Sequence, residues 1–197
     1  VLFAADHHIA DHGLSLTSTD VTYIQTRNFL QGGGTINAFT RNAGARLSVV
    51  DVGVNYDFGD LPGLVKRKVM HGANDFSKEP AMTREQALEC LQVGIDMARE
   101  EKNTGLDIVA AGEMGIGNTL SAIVAVLTGT PVETVTGRGS GVRGEVIRKK
   151  IKLIEQGITL NKPDPSDAID VLAKVGGPEI GAMAGLMLGA ASLRVPI

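Results

Sequence analysis

The chain is poor in aromatic residues and in cysteine. Its 197 residues include no Trp, two Tyr and five Phe, so the core must be built from Val, Ile, Leu, Ala and Met. The single cysteine, Cys90, excludes an internal disulfide and a cysteine metal cluster, which favours a reducing compartment, the cytoplasm. We expect Cys90 to be a small, buried helix residue and not a nucleophile.

A long hydrophobic run and an excess of positive charge are also missing. No stretch reaches the about 18 uninterrupted apolar residues of a membrane span. The nearest, residues 181–193, is rich in Gly and Ala, which favours a tightly packed helix. The net charge is −3, and the one dense basic run, residues 148–152, is typical of a solvated helix face. We therefore expect neither a membrane nor a nucleic acid as a partner.

Predicted strands and helices alternate along the chain. Runs rich in β-branched or other apolar residues predict buried strands over 1–5, 46–54 and 106–110. Capping residues and apolar periodicity predict helices over 19–30, 35–41, 83–102, 120–127, 144–156, 166–176 and from 178 onward, and residues 55–81 are predicted to be irregular. This alternation predicts an α/β protein with a parallel sheet and flanking helices, a Rossmann-like three-layer arrangement.

The two ends of the sequence both have the character of core strands. The chain opens on the apolar run 1–5 and closes on residues 194–197, which are typical of the start of another strand. Core strands rarely form both ends of a domain. We therefore expect residues 1–197 to be a single α/β nucleotide-binding domain, truncated at both ends, whose small helical part is incomplete.

The stretch 111–119 is the first candidate site. It places Glu113 and a glycine turn, Gly115-Ile116-Gly117, between a predicted strand and a helix that begins at Asn118 or Thr119. Backbone N–H groups and a helix N-terminus in this position suit a phosphate, and the carboxylate suits a sugar hydroxyl. The spacing is equally compatible with a tight turn that binds nothing. It matches neither a dinucleotide fingerprint nor a P-loop.

Two further stretches carry candidate binding residues. A second glycine-rich turn, 137–141, precedes a lysine-bearing helix, and the two glycine turns together could hold one phosphate monoester. The first predicted strand is followed by three His and two Asp within positions 6–12. A strand or loop cannot point all five inward, so we favour a ligand-facing loop that uses Asp6 and His7 over a metal site.

With these residues in view, the chain resembles the nicotinate-nucleotide:dimethylbenzimidazole phosphoribosyltransferase family. The matching blocks run in order over nearly the whole chain: Ala5-Asp6-His7, Gly13-Leu14-Ser15, Val21-Thr22, residues 28–33, Ile36-Asn37, residues 49–54, residues 79–83, residues 112–119, residues 137–142, Gly176-Gly177 and Glu179-Ile180. The resemblance implies an α/β domain with a smaller helical part, usually a homodimer. It implies transfer of phosphoribose from nicotinate mononucleotide to dimethylbenzimidazole in cobalamin synthesis, with inversion at the anomeric carbon and no metal or organic cofactor.

The resemblance also implies roles for particular residues. Glu113 would contact the ribose, and the loop Gly115, Ile116, Gly117, Asn118 and Thr119 would hold the nucleotide. The phosphate site would be completed by Gly137, Gly139 and Lys150. Ser15 and Tyr23 would line the pocket for the aromatic base, with Asp6 and His7 nearby. The family's general base, a glutamate, lies beyond anything that corresponds to Ile197, so we expect this chain alone to bind nucleotide poorly and not to turn over.

Departures from the family pattern leave the acceptor open. His8 stands where the family usually has Gly, no Pro follows Ser15, and Tyr23 stands where a family member that uses dimethylbenzimidazole has Gln. The acceptor could therefore be a benzimidazole, a purine or a phenol. A non-catalytic nucleotide-binding or partner subunit is the alternative from another class. A dehydrogenase is the weakest candidate, because Leu120 breaks the dinucleotide glycine pattern.

Overall fold

A parallel sheet forms the centre of the computed structural model, which describes residues 1–117, 120–137 and 144–197. The strands of these ranges are β1 (Leu2–Ala5), β2 (Val49–Gly53), β3 (Leu64–Lys66) and β4 (Gly112–Met114), in the order β3-β2-β1-β4. Every neighbouring pair is parallel, and Phe3 of β1 aligns with Val50 on one side and Glu113 on the other. The predicted α/β fold with a parallel sheet is confirmed.

Helices connect and cover these strands. A 3-10 helix, His8–His12, follows β1 directly. The α-helices of the described ranges are α1 (Val21–Leu30), α2 (Thr35–Asn42), α3 (Arg84–Asn103), α4 (Leu120–Thr128), α5 (Val132–Val135), α6 (Glu145–Asn161), α7 (Ala168–Val175) and α8 (Pro178–Ser192). Except for the short α5, each lies within a few residues of a predicted helix.

Alternating side chains of the strands supply two separate apolar layers. Phe3 and Val50 pack on the face covered by α3 and α8, and Leu2 and Val49 pack on the opposite face with Phe29 of α1. A third cluster, which contains Ile9, Leu14, Phe76, Ala122, Ile154 and Val175, lies in the helical part formed by α4, α6 and α7. The sheet is thus the middle of three layers, and a small helical part adjoins it.

The contact between α3 and α8 is built on small residues. A side chain at Gly185 would overlap the carbonyl of Leu91, and one at Gly94 would overlap the carbonyl of Ala182. The sequence-based expectation of a tightly packed helix at the end of the chain is therefore confirmed.

Cys90, on the buried face of α3, is fully buried as expected. Within the described ranges, no helix has both the length and the apolar character needed to cross a bilayer.

Two strand predictions in the interior of the chain were wrong. Residues 106–110 are irregular, and β4 begins only at Gly112, inside the glycine-rich stretch. The ladder between β1 and β4 runs from the pair Leu2–Gly112 to the pair Ala4–Met114, so the paired segment lies C-terminal to the apolar run 106–110. The segment 55–81 was predicted to be irregular but contains β3, which pairs with β2.

Local capping signals succeeded where both partners are close in sequence. Thr83 and Gln86 form the predicted capping box at α3, with 3.2 Å from Thr83 Oγ1 to the backbone N of Gln86. Thr19 and Ser166, however, do not cap helices, since the N-cap residues are Asp20 for α1 and Asp167 for α7. Residues 194–197 form no strand, although the N–H of Val109 bonds to the carbonyl of Pro196 at 3.0 Å.

Candidate functional site

The carboxyl ends of three strands meet at one edge of the sheet. Asp6 follows β1, Asn55 follows β2 and the turn at Gly115 follows β4. The carboxylate of Asp6 accepts a hydrogen bond from the backbone N–H of Asn55, with 2.8 Å between Oδ2 and N. Ligands of open α/β sheets bind at this edge, and we take it as the candidate site.

A polar cavity of about 150 Å³ opens at this edge. Its lining comes from the end of β1 and the 3-10 helix, from the start of α1, from the loop after β2 and from the turn after β4: Asp6, His7, His8, Ala10, Asp11, Thr19, Asp20, Tyr23, Asn55, Tyr56 and Ile116. An engineered cavity of about 150 Å³ in another protein holds benzene. The space therefore suits one six-membered ring or one sugar ring.

Asp6 is the most buried carboxylate in the lining of this cavity. Its burial raises the pKa of the carboxyl group above the ordinary aspartate value, although the Thr22 hydroxyl, the Asn55 N–H and the charges of His7 and Lys68 all act in the opposite direction. Thr22 is itself buried and accepts a hydrogen bond from the backbone N–H of Ile116 at 3.0 Å. Asp6 is therefore linked to both neighbouring strand ends.

Aromatic rings form one wall of the cavity. The rings of Tyr23 and Tyr56 lie 3.9 Å apart between centroids, and Phe58 lies 5.6 Å from Tyr23. Arg27 donates a hydrogen bond to the Tyr23 hydroxyl at 2.8 Å. This bond, and a second one with Tyr56, lower the pKa of Tyr23, whereas the bond to Tyr23 raises the pKa of Tyr56. The wall can stack a planar aromatic molecule.

The turn after β4 is held tightly against β1. A Cβ atom on Gly115 would lie 2.6 Å from the carbonyl oxygen of Ala5, and one on Gly117 would lie 2.9 Å from Cβ of Ala10. Gly117 also has a φ of 81°, which favours glycine. The N–H of Ile116 is already bonded to Thr22. The glycines are thus required by the packing of this turn.

The three histidines near β1 contact three different carboxylates. Nε2 of His7 lies 2.8 Å from Oε1 of Glu179, and both side chains are buried. His8 lies 3.4 Å from Asp11, and His12 lies 2.8 Å from Asp75. The rings therefore diverge. Within the described ranges, no three His, Cys, Asp or Glu side chains are grouped closely enough to hold a metal ion.

The predicted site residues are only partly brought together. Asp6, His7, Tyr23 and Ile116 line the cavity, and Gly115 and Gly117 pack beside it. Ser15, Glu113, Gly137 and Lys150 are not among its described lining residues. Asn118, Thr119 and Gly139 lie outside the described residues.

The four predicted residues away from the cavity have distinct surroundings. Glu113 is exposed in the middle of β4, and the hydroxyl of Ser15 lies 2.9 Å from that of Thr17. Gly137 is exposed after α5. Lys150 is half-buried in the first turns of α6, and burial lowers the pKa of its ammonium group. Its neighbours in the basic run, Arg148 and Lys149, are exposed, as expected for a solvated helix face.

Sequence reasoning missed three residues of this region. Asn55 and Tyr56 lie two and three residues after the end of β2, and an aromatic residue near a strand end in a chain with two tyrosines was a usable signal. Glu179, the carboxylate buried against His7, lies in the first turn of α8. Its charge within an otherwise apolar helix was a signal too, but nothing in the sequence linked it to His7.

The fold and the cavity define an α/β ligand-binding domain whose site lies at the carboxyl ends of parallel strands. A family model described as phosphoribosyltransferase matches residues 1–197, from one end of the chain to the other. The chain belongs to this phosphoribosyltransferase family.

Relatives with assigned names cover nearly the same residues. The nicotinate-nucleotide–dimethylbenzimidazole phosphoribosyltransferase of Geobacter sulfurreducens is 52% identical over 197 residues, which are 99% of this chain and 56% of that protein. The protein of the same name from Roseiflexus is 50% identical over 199 residues, 100% of this chain and 56% of that protein. The chain thus spans about half the length of the curated relatives it matches.

Solved structures agree with the fold. The crystal structure of CobT from Thermus thermophilus superposes with a TM-score of 0.93 at 40% identity, over 99% of this chain and 59% of that one. A second crystal structure from the same organism, that of a nicotinate-nucleotide–dimethylbenzimidazole phosphoribosyltransferase, gives a TM-score of 0.91 at 38% identity, over 99% of this chain and 58% of that one. The α/β architecture is therefore shared with these proteins.

Proposed function

We propose that this chain is the central portion of an enzyme that transfers phosphoribose from nicotinate mononucleotide to 5,6-dimethylbenzimidazole. The products are α-ribazole 5'-phosphate and nicotinate, and the step belongs to cobalamin synthesis. The observation that carries the proposal is the family match over the whole chain, together with 52% identity to a relative of that name. The polar, aromatic-walled cavity at the strand ends supports it from the structure.

The chemistry makes modest demands on the protein. A ring nitrogen of the acceptor attacks the anomeric carbon, and the bond from that carbon to the pyridinium nitrogen breaks. The bonding electrons neutralise the ring, so nicotinate leaves without protonation. A base must then remove the N–H proton of the acceptor, and general-base catalysis of this kind raises the reaction rate by about 10²–10⁴-fold. Alignment of the two rings on opposite sides of the sugar contributes more, since it can lower the activation free energy by up to about 7–11 kcal/mol.

We assign the acceptor ring to the cavity beside Asp6. The Tyr23–Tyr56 wall offers a stacking surface, and the Asp6 carboxylate at the strand end offers a hydrogen-bond acceptor for a ring N–H. By the family resemblance, Ser15 stands at the edge of this pocket. His7 lies beneath it, in contact with Glu179.

We assign the nucleotide to the two glycine turns. By resemblance, Glu113 contacts the ribose, and residues 115–119 hold the nucleotide. The phosphate contacts are completed by Gly137, Gly139 and Lys150. The half-burial of Lys150 supports this role, because burial lowers the pKa of its ammonium group and a bound dianion would offset that cost. The exposed carboxylate of Glu113 on β4, next to the turn, is consistent with a sugar ligand.

A different acceptor is the second candidate. The cavity of about 150 Å³ is close to the size of one aromatic ring, which suits a phenol, and the hydroxyl groups of the tyrosine wall can bond either to a phenol or to the ring nitrogens of a purine. Competition among dimethylbenzimidazole, adenine and p-cresol for one nicotinate mononucleotide pool, with products separated by mass spectrometry, decides between them. If adenine or p-cresol dominates, dimethylbenzimidazole is not the natural acceptor.

The assay must include a longer form of the protein. By resemblance, the general base lies in a segment with no counterpart in residues 1–197. We therefore expect nicotinate release by the chain extended to the length of its relatives, and none by residues 1–197 alone. Turnover by the short chain would refute this assignment of the base. If neither form turns over but both bind nicotinate mononucleotide in calorimetry, the protein is a non-catalytic binding subunit.

We propose a homodimer in the cytoplasm. The dimer follows from the family resemblance, and the compartment from the single buried thiol, Cys90, which forms no disulfide. Sedimentation equilibrium of the extended protein measures the mass directly. A monomer at all concentrations would contradict the first assignment.

A further inference from the structure

The side chains of His7 and Glu179 form a buried pair between two glycine turns. Nε2 of His7 lies 2.8 Å from Oε1 of Glu179, and the two side chains are 1% and 0% exposed. A Cβ atom on Gly115 would lie 3.5 Å from each of these two atoms. One on Gly177 would lie 2.9 Å from the His7 nitrogen and 2.8 Å from Oε2 of Glu179. The pair therefore fills the space between the turn after β4 and the start of α8.

Stability by itself does not account for such a pair. Replacing a buried ion pair by apolar residues of similar volume is often neutral or even stabilising by about 1–4 kcal/mol. In the described part of the chain, Nδ1 of His7 also has no hydrogen-bond partner, which adds a desolvation cost. What the pair provides is a directional contact between the end of β1 and α8, against which the turn after β4 packs.

Charged groups from every side face His7. Asp6 follows β1, Glu113 is on β4 and Glu179 is on α8; all three raise the pKa of His7, whereas burial lowers it, and the balance is a raised pKa. Cys90 of α3 lies near enough to Glu179 for the carboxylate to help raise the pKa of the thiol. This environment favours an imidazole ring that carries a proton on Nε2 and donates a hydrogen bond from it to the carboxylate of Glu179.

We propose that His7 and Glu179 are a positioning pair that holds the turn Gly115-Ile116-Gly117 against the end of β1. The carbonyl of His7 supports the same arrangement, because a Cβ atom on Gly117 would lie 3.0 Å from that oxygen. The turn is thereby set in place before any ligand arrives. Its importance for nucleotide binding rests on the proposed function, whereas the positioning itself does not.

Amide hydrogen exchange of the 197-residue chain tests the pair without any substrate. The N–H of Ile116, which bonds to Thr22, reports on the turn, and the N–H of Val50 in β2 reports on global opening. In Glu179→Gln an amide of the same shape can still accept the hydrogen bond from His7, but the negative charge is lost, so the bond loses its charge assistance. We expect Ile116 to exchange at least about tenfold faster than in the wild type while Val50 changes less than about threefold.

Three further variants sharpen the result. In His7→Gln the amide nitrogen can occupy the place of Nε2, so we expect protection of Ile116 to be largely restored relative to His7→Asn, whose amide is too short. Asp75→Asn is the matched control, because it alters a His–carboxylate pair of the same 2.8 Å length at His12. It should leave the ratio of the two exchange rates unchanged. Equal acceleration at Ile116 and Val50 in Glu179→Gln would overturn the proposal and leave a purely structural role.

A measurement on the wild type covers the case in which the variants do not fold. If the pair holds the turn, the ring proton on Nε2 of His7 and the amide of Ile116 are exposed by the same opening, so they should exchange with the same protection. A ring proton whose protection factor is more than about tenfold below that of the Ile116 amide, or one that is not protected at all, would refute the proposal. Neither outcome bears on whether the extended protein transfers phosphoribose.

Discussion

The carboxylate of Asp6 and the backbone N–H of Asn55 are joined by a hydrogen bond of 2.8 Å. This bond connects the end of β1 to the loop after β2, and the same loop carries Tyr56 into the cavity wall. Asp6 is also close to the Thr22 hydroxyl, which accepts a hydrogen bond from the N–H of Ile116. Asp6 is therefore connected to the ends of both strands that neighbour β1. These hydrogen bonds between the strand ends therefore set the positions of the residues that line the cavity.

Replacing Asp6 by Asn should weaken ligand recognition and leave the folded chain as stable as the wild type or more stable. Burial raises the pKa of Asp6, so the folded chain binds this proton more tightly than the unfolded chain, and ionised Asp6 destabilises the fold above the unfolded pKa of about 3.9. We expect Asp6→Asn to melt at the same or a higher temperature than the wild type at pH 7, by up to about 2–4 °C. The difference should shrink as the pH is lowered towards about 4.

Calorimetry at the two pH values measures this effect. The exposed Asp60, paired with Lys66 at 3.0 Å, provides the control Asp60→Asn, which should change the melting temperature little at either pH. A clear loss of stability in Asp6→Asn at pH 7 would mean that the ionised carboxylate contributes more through its contacts than it costs through burial.

The two tyrosines of the chain should titrate separately. The hydrogen bond from Arg27 and the contact with Tyr56 lower the pKa of Tyr23, and the pKa of Tyr56 is raised. With two Tyr and no Trp, the ultraviolet absorbance of the phenolates reports on these groups alone. We expect two steps in the wild type and, in Arg27→Gln, a shift of the lower step towards about 10.

A second arginine variant serves as the control for this titration. Arg41 bonds to the carbonyl of Gly32 at 3.0 Å and provides Arg41→Gln, which should leave both steps in place. A single unshifted step in the wild type would show that the Arg27–Tyr23 contact is not formed in solution.

The contact between α3 and α8 should not tolerate an added methyl group. Gly185→Ala places Cβ on the carbonyl of Leu91, so the helices must move apart. Overpacking of this kind costs about 1–3 kcal/mol, and each 1 kcal/mol lowers the melting temperature by about 2–4 °C in a chain of this size. Thermal unfolding followed by circular dichroism measures the loss. Gly137→Ala is the control, since no described heavy atom lies within 4 Å of its added Cβ.

Cys90 should be unreactive in the folded chain. Burial, with a smaller contribution from the charge of Glu179, raises the pKa of its thiol far above the ordinary value, so almost no thiolate is present. We expect no reaction with an aromatic disulfide reagent at pH 8, and one thiol per chain after denaturation in urea. Because the chain has one Cys, the whole signal belongs to this residue. Rapid reaction in buffer would show that α3 opens easily.

Local patterns predicted those elements whose signals lie within a few residues. The capping box of Thr83 and Gln86 marks the start of α3, and the apolar run at the start of the chain became β1. The helix at residues 178–192 was predicted from its Pro and small residues, and its close packing was confirmed. Strand β3 was missed because only its pairing with β2 makes it a strand.

The sequence by itself determined the fold class, the helical framework and the family, because these follow from periodicity, capping residues and co-linear motifs. It also singled out Asp6, Tyr23 and the Gly115 turn as candidate site residues. Only the tertiary structure decided that His7 contacts Glu179, a residue 172 positions away, and that Tyr56 completes the wall beside Tyr23. Such contacts depend on which strand ends meet and how closely the glycine turns approach, and no local pattern in the chain encodes those distances.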